Sequence, residues 1–187
     1  MSSIKLQGST SGEITIAAPA VAGTNTLTLP ASTGTIITDT APKVGNVLQV
    51  VTSEYSTITS ISSTSYTNSG LSASITPSST SSKILVIASL SGRIYSQQNG
   101  DRVYYIRIAR GGTEIHFKAA ALQAGVGSAG YYVAPIFSSL VDLDSPSTTS
   151  SITYTIDAKV NNTANATNVQ FCSESSISTL TLMEIAG

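Results

Sequence analysis

His116 and Cys172 are the only histidine and the only cysteine among 187 residues, and that scarcity sets the first limit on the chemistry. A Cys/His metal centre needs three or four such ligands, and a Cys–His dyad needs its two members brought together by the fold. His116 falls between Glu114 and Lys118 in an alternating segment, which places its imidazole on a polar, solvated face. Cys172 alternates with Phe171 and reads as a quiet, half-buried thiol; with one cysteine, no disulfide forms within the chain. Asp142 and Asp144 share a face, the arrangement of a cation site or an acid/base pair. Ser145 and Pro146 directly behind them mark them instead as turn-formers. No glycine pattern makes a phosphate loop, and the NNT and NAT triplets at Asn161 and Asn165 read as loop residues. The expectation is a protein that is not an enzyme and has no catalytic residues, no metal and no cofactor.

One cluster of side chains stands out electrostatically. Residues 93–118 contain Arg93, Arg102, Arg107, Arg110 and Lys118 against Asp101 and Glu114, a local excess of three positive charges in a chain of net charge −1. Tyr95, Tyr104 and Tyr105 are interleaved with them. Arginine and tyrosine give large contact area with polar handles, so Arg93, Tyr95, Arg102, Tyr104 and Arg107 form a candidate receptor or partner surface. A solvated hairpin face or a subunit contact is the alternative reading of the same residues.

The elements that must position these residues are strands. Charged residues are 10% of the chain, and Ser plus Thr are about three residues in ten, a usage that favours strands and turns over solvated helices. The net charge argues against a nucleic-acid partner. Ala119–Val141 carries no charge over membrane length, but its glycines, serines, glutamine and proline deny it the sustained hydrophobicity of a spanning helix. A small-residue loop and then a strand from Tyr131 is expected there, with a possible helical turn over Ala119–Gln123. The start of the chain lacks the apolar core of a signal peptide, so synthesis in a cytoplasm without secretion is expected.

The first forty residues differ from the rest. Ile4 with Leu6, Ile14 with Ile16, Leu27 with Leu29, and Ile36 are short alternating units about ten residues apart, each closed by Gly, Pro or Asn. Each offers two apolar side chains on one face, too few to enclose a core. Residues 1–42 therefore read as an extended N-terminal β-arm for attachment and oligomerisation, with Ile14, Ile16, Leu27, Leu29 and Ile36 as its contact residues. Residues 43–187 read as an all-β domain, a β-sandwich of jelly-roll type with about eight to ten strands. Dense apolar runs at Asn46–Ser53 and Lys83–Leu90 supply central strands. Residues 102–120 form a hairpin turning at Gly111–Gly112. In 151–160, Ile152, Tyr154, Ile156, Ala158 and Val160 face one way. Pro135 marks an edge strand or a bulge.

The phrases "GEITIAAPAVAGTNTLTLPASTGTIITDTA", "VLQVVTS", "STSYTNSGLSASITPSSTSSKILVIASLSG" and "STLTLMEIAG" resemble segments of tail-fibre and other virion structural proteins of tailed bacteriophages. The likeness covers roughly Gly12–Gly92 and the last dozen residues, and its motifs are structural phrases without catalytic signatures. It implies a trimeric jelly roll with an intertwining or attaching arm. The expected function is thus a virion structural protein, a homotrimeric fibre, spike or capsid decoration protein. Its partners would be its own copies, other virion proteins through the arm, and a host surface glycan or receptor, with no nucleic acid and no membrane insertion; its location would be the virion. The alternative is a stand-alone carbohydrate-binding module or adhesin working through the Arg/Tyr hairpin.

Overall fold

A computed structural model describes residues 3–17, 20–21, 23–24, 42–96, 102–122, 132–163 and 167–187. The chain divides into two compact units, Met1–Ile36 and Ile37–Gly187. In the first, β1 (Ser3–Gln7) and β2 (Glu13–Ala17) pair antiparallel, with Ile4 opposite Ile16 and Leu6 opposite Ile14. The Gly8 N–H closes the ribbon on the Gly12 carbonyl at 2.9 Å. The alternation expected of these two units is present, and its consequence is visible: Ile4, Leu6, Ile14 and Ile16 are 63%, 54%, 67% and 49% exposed. A two-stranded ribbon has no second layer to cover its apolar face. Leu27, Leu29 and Ile36 lie outside the described residues.

The second unit is a β-sandwich. Its strands are β3 (Val47–Tyr55), β4 (Thr59–Ile61), β5 (Thr67–Ile75), β6 (Lys83–Ser96), β7 (Arg102–Arg110), β8 (Thr113–Leu122), β9 (Tyr132–Asp144), β10 (Ile152–Val160), β11 (Asn168–Phe171) and β12 (Ser178–Ile185). One sheet has the order β5-β10-β7-β8. The other is built around β6, which pairs β12 over residues 83–89 and β11 over 92–95, while β9 runs along its whole opposite edge. β3 extends this sheet beyond β12, and β4 beyond β11. All pairings are antiparallel.

Alternation builds the core. Ile84, Val86, Ala88, Leu90 and Ile94 of β6 meet Leu71, Ala73, Ile75, Ile106, Ile108, Tyr154, Ile156 and Val160 of the opposite sheet in one buried cluster, the period of two placing every second side chain inward. The strand reading of 151–160 holds residue by residue, with Ile152 partly buried at the entrance. Gly92 stands where β6 changes partner from β12 to β11; a Cβ there would collide with the Gln170 carbonyl. At the β7–β8 hairpin, Gly111 and Gly112 take φ of 56° and 84°, as a tight primed turn requires. Pro135 sits on β9, which among the described residues pairs only with β6, consistent with an edge. The helical turn expected at Ala119–Gln123 is not formed: β8 continues to Leu122, pairing Ala119 with Tyr105 and Ala121 with Val103. A ladder already in register overrides the weak helix preference of an alanine run. Among the described residues no helix is long and apolar enough to cross a membrane.

A buried carboxylate ties the end of β12 to the 76–82 loop. Glu184 is 1% exposed. It accepts hydrogen bonds from the Ser78 N–H (2.7 Å), the Ser78 and Ser82 hydroxyls (2.6 Å each) and Gln49 Nε2 (2.6 Å). Burial alone would raise its pKa, but the donors from Ser78, Ser82 and Gln49 outweigh burial and hold it below the ordinary value of 4.5. A depressed folded pKa means stabilisation that is present above the unfolded value and lost as pH falls through the folded one. Glu184→Gln should therefore cost about 2 kcal/mol in urea unfolding at pH 7. The gap from the wild type should narrow as the pH falls below the ordinary carboxylate value of 4.5 and the native carboxylate also takes up its proton.

Candidate functional site

The Arg/Tyr residues singled out from the sequence are distributed over both sheets. Arg93 and Tyr95 are odd-numbered positions on β6, opposite in phase to its buried residues, and so lie on the outer face of the six-stranded sheet. Arg93 Nε donates to Gln170 Oε1 at 2.7 Å, and its Nη1 is 3.3 Å from Glu174 Oε1. Arg93 lines a groove of about 310 Å³ together with Val133, Pro135, Phe137, Ser173 and Glu174. Ser173–Ser175 is a 3-10 turn preceded by Cys172, and Cys172, Glu174 and Ser175 take φ of 56°, 57° and 61°. Left-handed backbone at three non-glycine residues is uncommon and costly. Cys172 helps to hold it, its N–H on the Ser91 carbonyl and its thiol on the Tyr55 carbonyl, both at 2.9 Å. The thiol is fully buried, beyond the half-burial expected for it.

Arg107 belongs to the opposite side of the molecule. It lies on the outer face of the four-stranded sheet, where register sets it beside Asp157 on β10 and Phe117 on β8. Its Nε and Nη2 donate to Asp157 Oδ2 at 3.0 and 2.9 Å, while Thr155 donates to Oδ1 at 3.0 Å. The guanidinium stacks 4.2 Å from the centre of the Tyr66 ring, and Lys159 Nζ lies 4.5 Å from Tyr66 and 4.9 Å from Tyr105. Cations over tyrosine faces are attracted by the ring quadrupole. Burial and the nearby Glu114 carboxylate push the Tyr66 hydroxyl's pKa up, so the phenol stays a neutral donor. Tyr104 points the other way, partly buried against the core, and burial raises its pKa. Arg102 begins β7 opposite Leu122; its side chain is outside the described residues.

Sequence reasoning missed Tyr66, Asp157 and Lys159 as members of this face. Alternation alone does signal that Lys159 points away from the buried Ala158 and Val160, but no sequence pattern states that β10 lies beside β7.

The two carboxylates expected to form turns do so in part. The Ser145 N–H donates to Asp144 Oδ1 at 2.9 Å, and Asp144 Oδ2 also accepts from Tyr154 (2.7 Å) and Arg110 (2.8 Å). Asp142 Oδ1 is 4.0 Å from His116 Nδ1, so the imidazole expected in solvent is half-buried beside a carboxylate. Among the described residues no group of three His, Cys, Asp or Glu side chains is placed to hold a metal. No family model matches the chain, and no curated protein matches it significantly.

The two arginines should answer differently to mutation. Arg107→Gln strands a buried Asp157 carboxylate, 10% exposed, and should cost about 3 kcal/mol in urea unfolding. Arg93→Gln breaks a pair whose Glu174 is 80% exposed and should cost under about 1 kcal/mol.

Proposed function

We propose that this chain is a structural protein of a tailed-bacteriophage virion, a homotrimeric fibre, spike or capsid decoration protein. It attaches through its N-terminal arm and displays the β-sandwich. The observation that carries this reading is the β1–β2 ribbon, whose four aliphatic side chains are about half or more exposed although they alternate as a buried face would. Covering them is worth on the order of 5 kcal/mol per chain, available once other chains supply the second layer. The sequence phrases quoted above point to the same class. In this reading the outer face of the four-stranded sheet, with Tyr66, Tyr105, Arg107 and Lys159, is the displayed surface that meets the host.

A second reading, a carbohydrate-binding module or adhesin, is favoured by that same aromatic and cationic face. It requires glycan binding that does not depend on assembly.

Light scattering on the purified full chain should give three times the monomer mass; a monomer at about 100 μM, where even weak oligomers associate, would overturn the homotrimer. Ile14→Asp with Ile16→Asp should leave the sandwich's unfolding transition unchanged, since the arm is a separate compact unit. The same variant should abolish incorporation into virions, measured by quantifying the chain in purified particles. Unchanged incorporation would remove the arm from attachment.

A further inference from the structure

We propose that the outer face of the six-stranded sheet is where copies of this chain pack against one another, lining the symmetry axis of the assembly. The inference rests on the homo-oligomer reading above and adds the surface that makes the contact.

The face is apolar across four strands. Register sets Leu143, Leu85, Met183 and Val50 in one row, and Val141 and Ile87 in the next, followed by Thr181 and Thr52. All lie on the side opposite the core, because their chain neighbours Ile84, Val86 and Leu182 are fully buried. Val50, Val141 and Leu143 are 54%, 52% and 51% exposed, and Leu85, Ile87 and Met183 are half-buried. A belt of Ser89, Ser139 and Thr179 separates this patch from Val133 and from Phe137, which is 79% exposed. Together the apolar side chains on the two sides of the belt present on the order of 600 Å², against about 300–600 Å² for the largest single patch on a typical monomer. A standard protein interface covers about 800 Å² per partner, so this face with its serine and threonine belt reaches the area that stable association requires.

Charge selects the occupant. Across the rows the charged side chains are Lys83 beside Ile185 at one end of β6 and Glu54 beside Thr179 on β3; Arg93 beyond them is paired with Glu174. The centre of the face carries none. The apolar rows are uncharged, with Glu54 at the end of the hydroxyl belt and Lys83 at the opposite edge, so two copies meet at their centre without like-charge repulsion, whereas a dissimilar partner is ordinarily selected by complementary charge. The hydroxyl belt can hydrogen-bond to the same belt on a neighbour. In a ring of three, the β9 side of one copy meets the β3 side of the next, and both margins are apolar, through Val141 and Leu143 on one and Val50 on the other.

The full chain tests this directly. Val141→Lys with Leu143→Lys on β9, and separately Val50→Lys on β3, alter exposed positions on opposite margins, with retention of the fold checked by circular dichroism. Each should shift the trimer-to-monomer transition in light scattering to concentrations about 100-fold higher. Wild-type assembly by both folded variants would overturn the assigned face while leaving the homotrimer reading intact; a monomeric wild type would overturn both. As an independent measurement, a benzophenone attached at Val141→Cys should crosslink to β3 or β9 of another copy. Crosslinks into residues 1–42 would make the arm the occupant of the face and overturn the proposal.

Discussion

β6 is the constraint on which the sandwich depends. Fourteen residues in one uninterrupted strand hold β9 on one edge and both β12 and β11 on the other, so three neighbours take their register from a single backbone. Its alternate residues form the floor of the core. Gly92 permits the handover between partners by letting the Gln170 carbonyl approach where no side chain would fit. Because the strand is long, its other face is long too, and the side chains that are not core form a continuous outer surface from Leu85 to Tyr95. The same alternation that builds the interior thus dictates an exterior face spanning the sheet.

Much of this fold was legible in the sequence, for identifiable reasons. In β5 and over most of β10 the apolar residues alternate, and period two assigns both the strand and its buried side; β6 reads as a dense apolar run, which marks a strand but not which of its faces is core. The Gly111–Gly112 turn and the edge position of Pro135 follow from backbone chemistry. What alternation cannot convey is which strands lie side by side. Arg93 and Arg107 are fourteen residues apart in one basic stretch, yet β6 and β7 belong to different sheets, so a cluster in sequence became two surfaces. Conversely Tyr66, Arg107 and Lys159, distant in sequence, meet through the β10–β7 pairing and the approach of the β4–β5 loop. Tyr104 was misread as surface because a tyrosine beside arginines looks solvated, while its even-numbered position on β7 puts it with Ile106 and Ile108.

Several of the chain's few carboxylates are used as internal fasteners. Glu184 anchors the 76–82 loop through neutral donors alone. Asp157 holds Arg107 on its sheet, and Asp144 joins β9 to Arg110 and Tyr154 across the rim of the sandwich. Each of these carboxylates has donors placed around it, and removing one donor costs more than breaking an exposed pair would.

That use of charge bears on assembly. A chain with 10% charged residues that turns several of its carboxylates inward leaves its outer faces to hydroxyls, aliphatics and a few stacked cations. Ordinary soluble monomers keep themselves apart with a mixed ionic coat. Here the ribbon of the first unit shows four exposed aliphatics, and the six-stranded sheet of the second shows six more apolar side chains exposed or half-buried across its centre. Both described surfaces are apolar at positions that alternate like a buried face, and the repeating assembly proposed above would account for both. In the proposed assembly each copy would supply the cover that its neighbours lack.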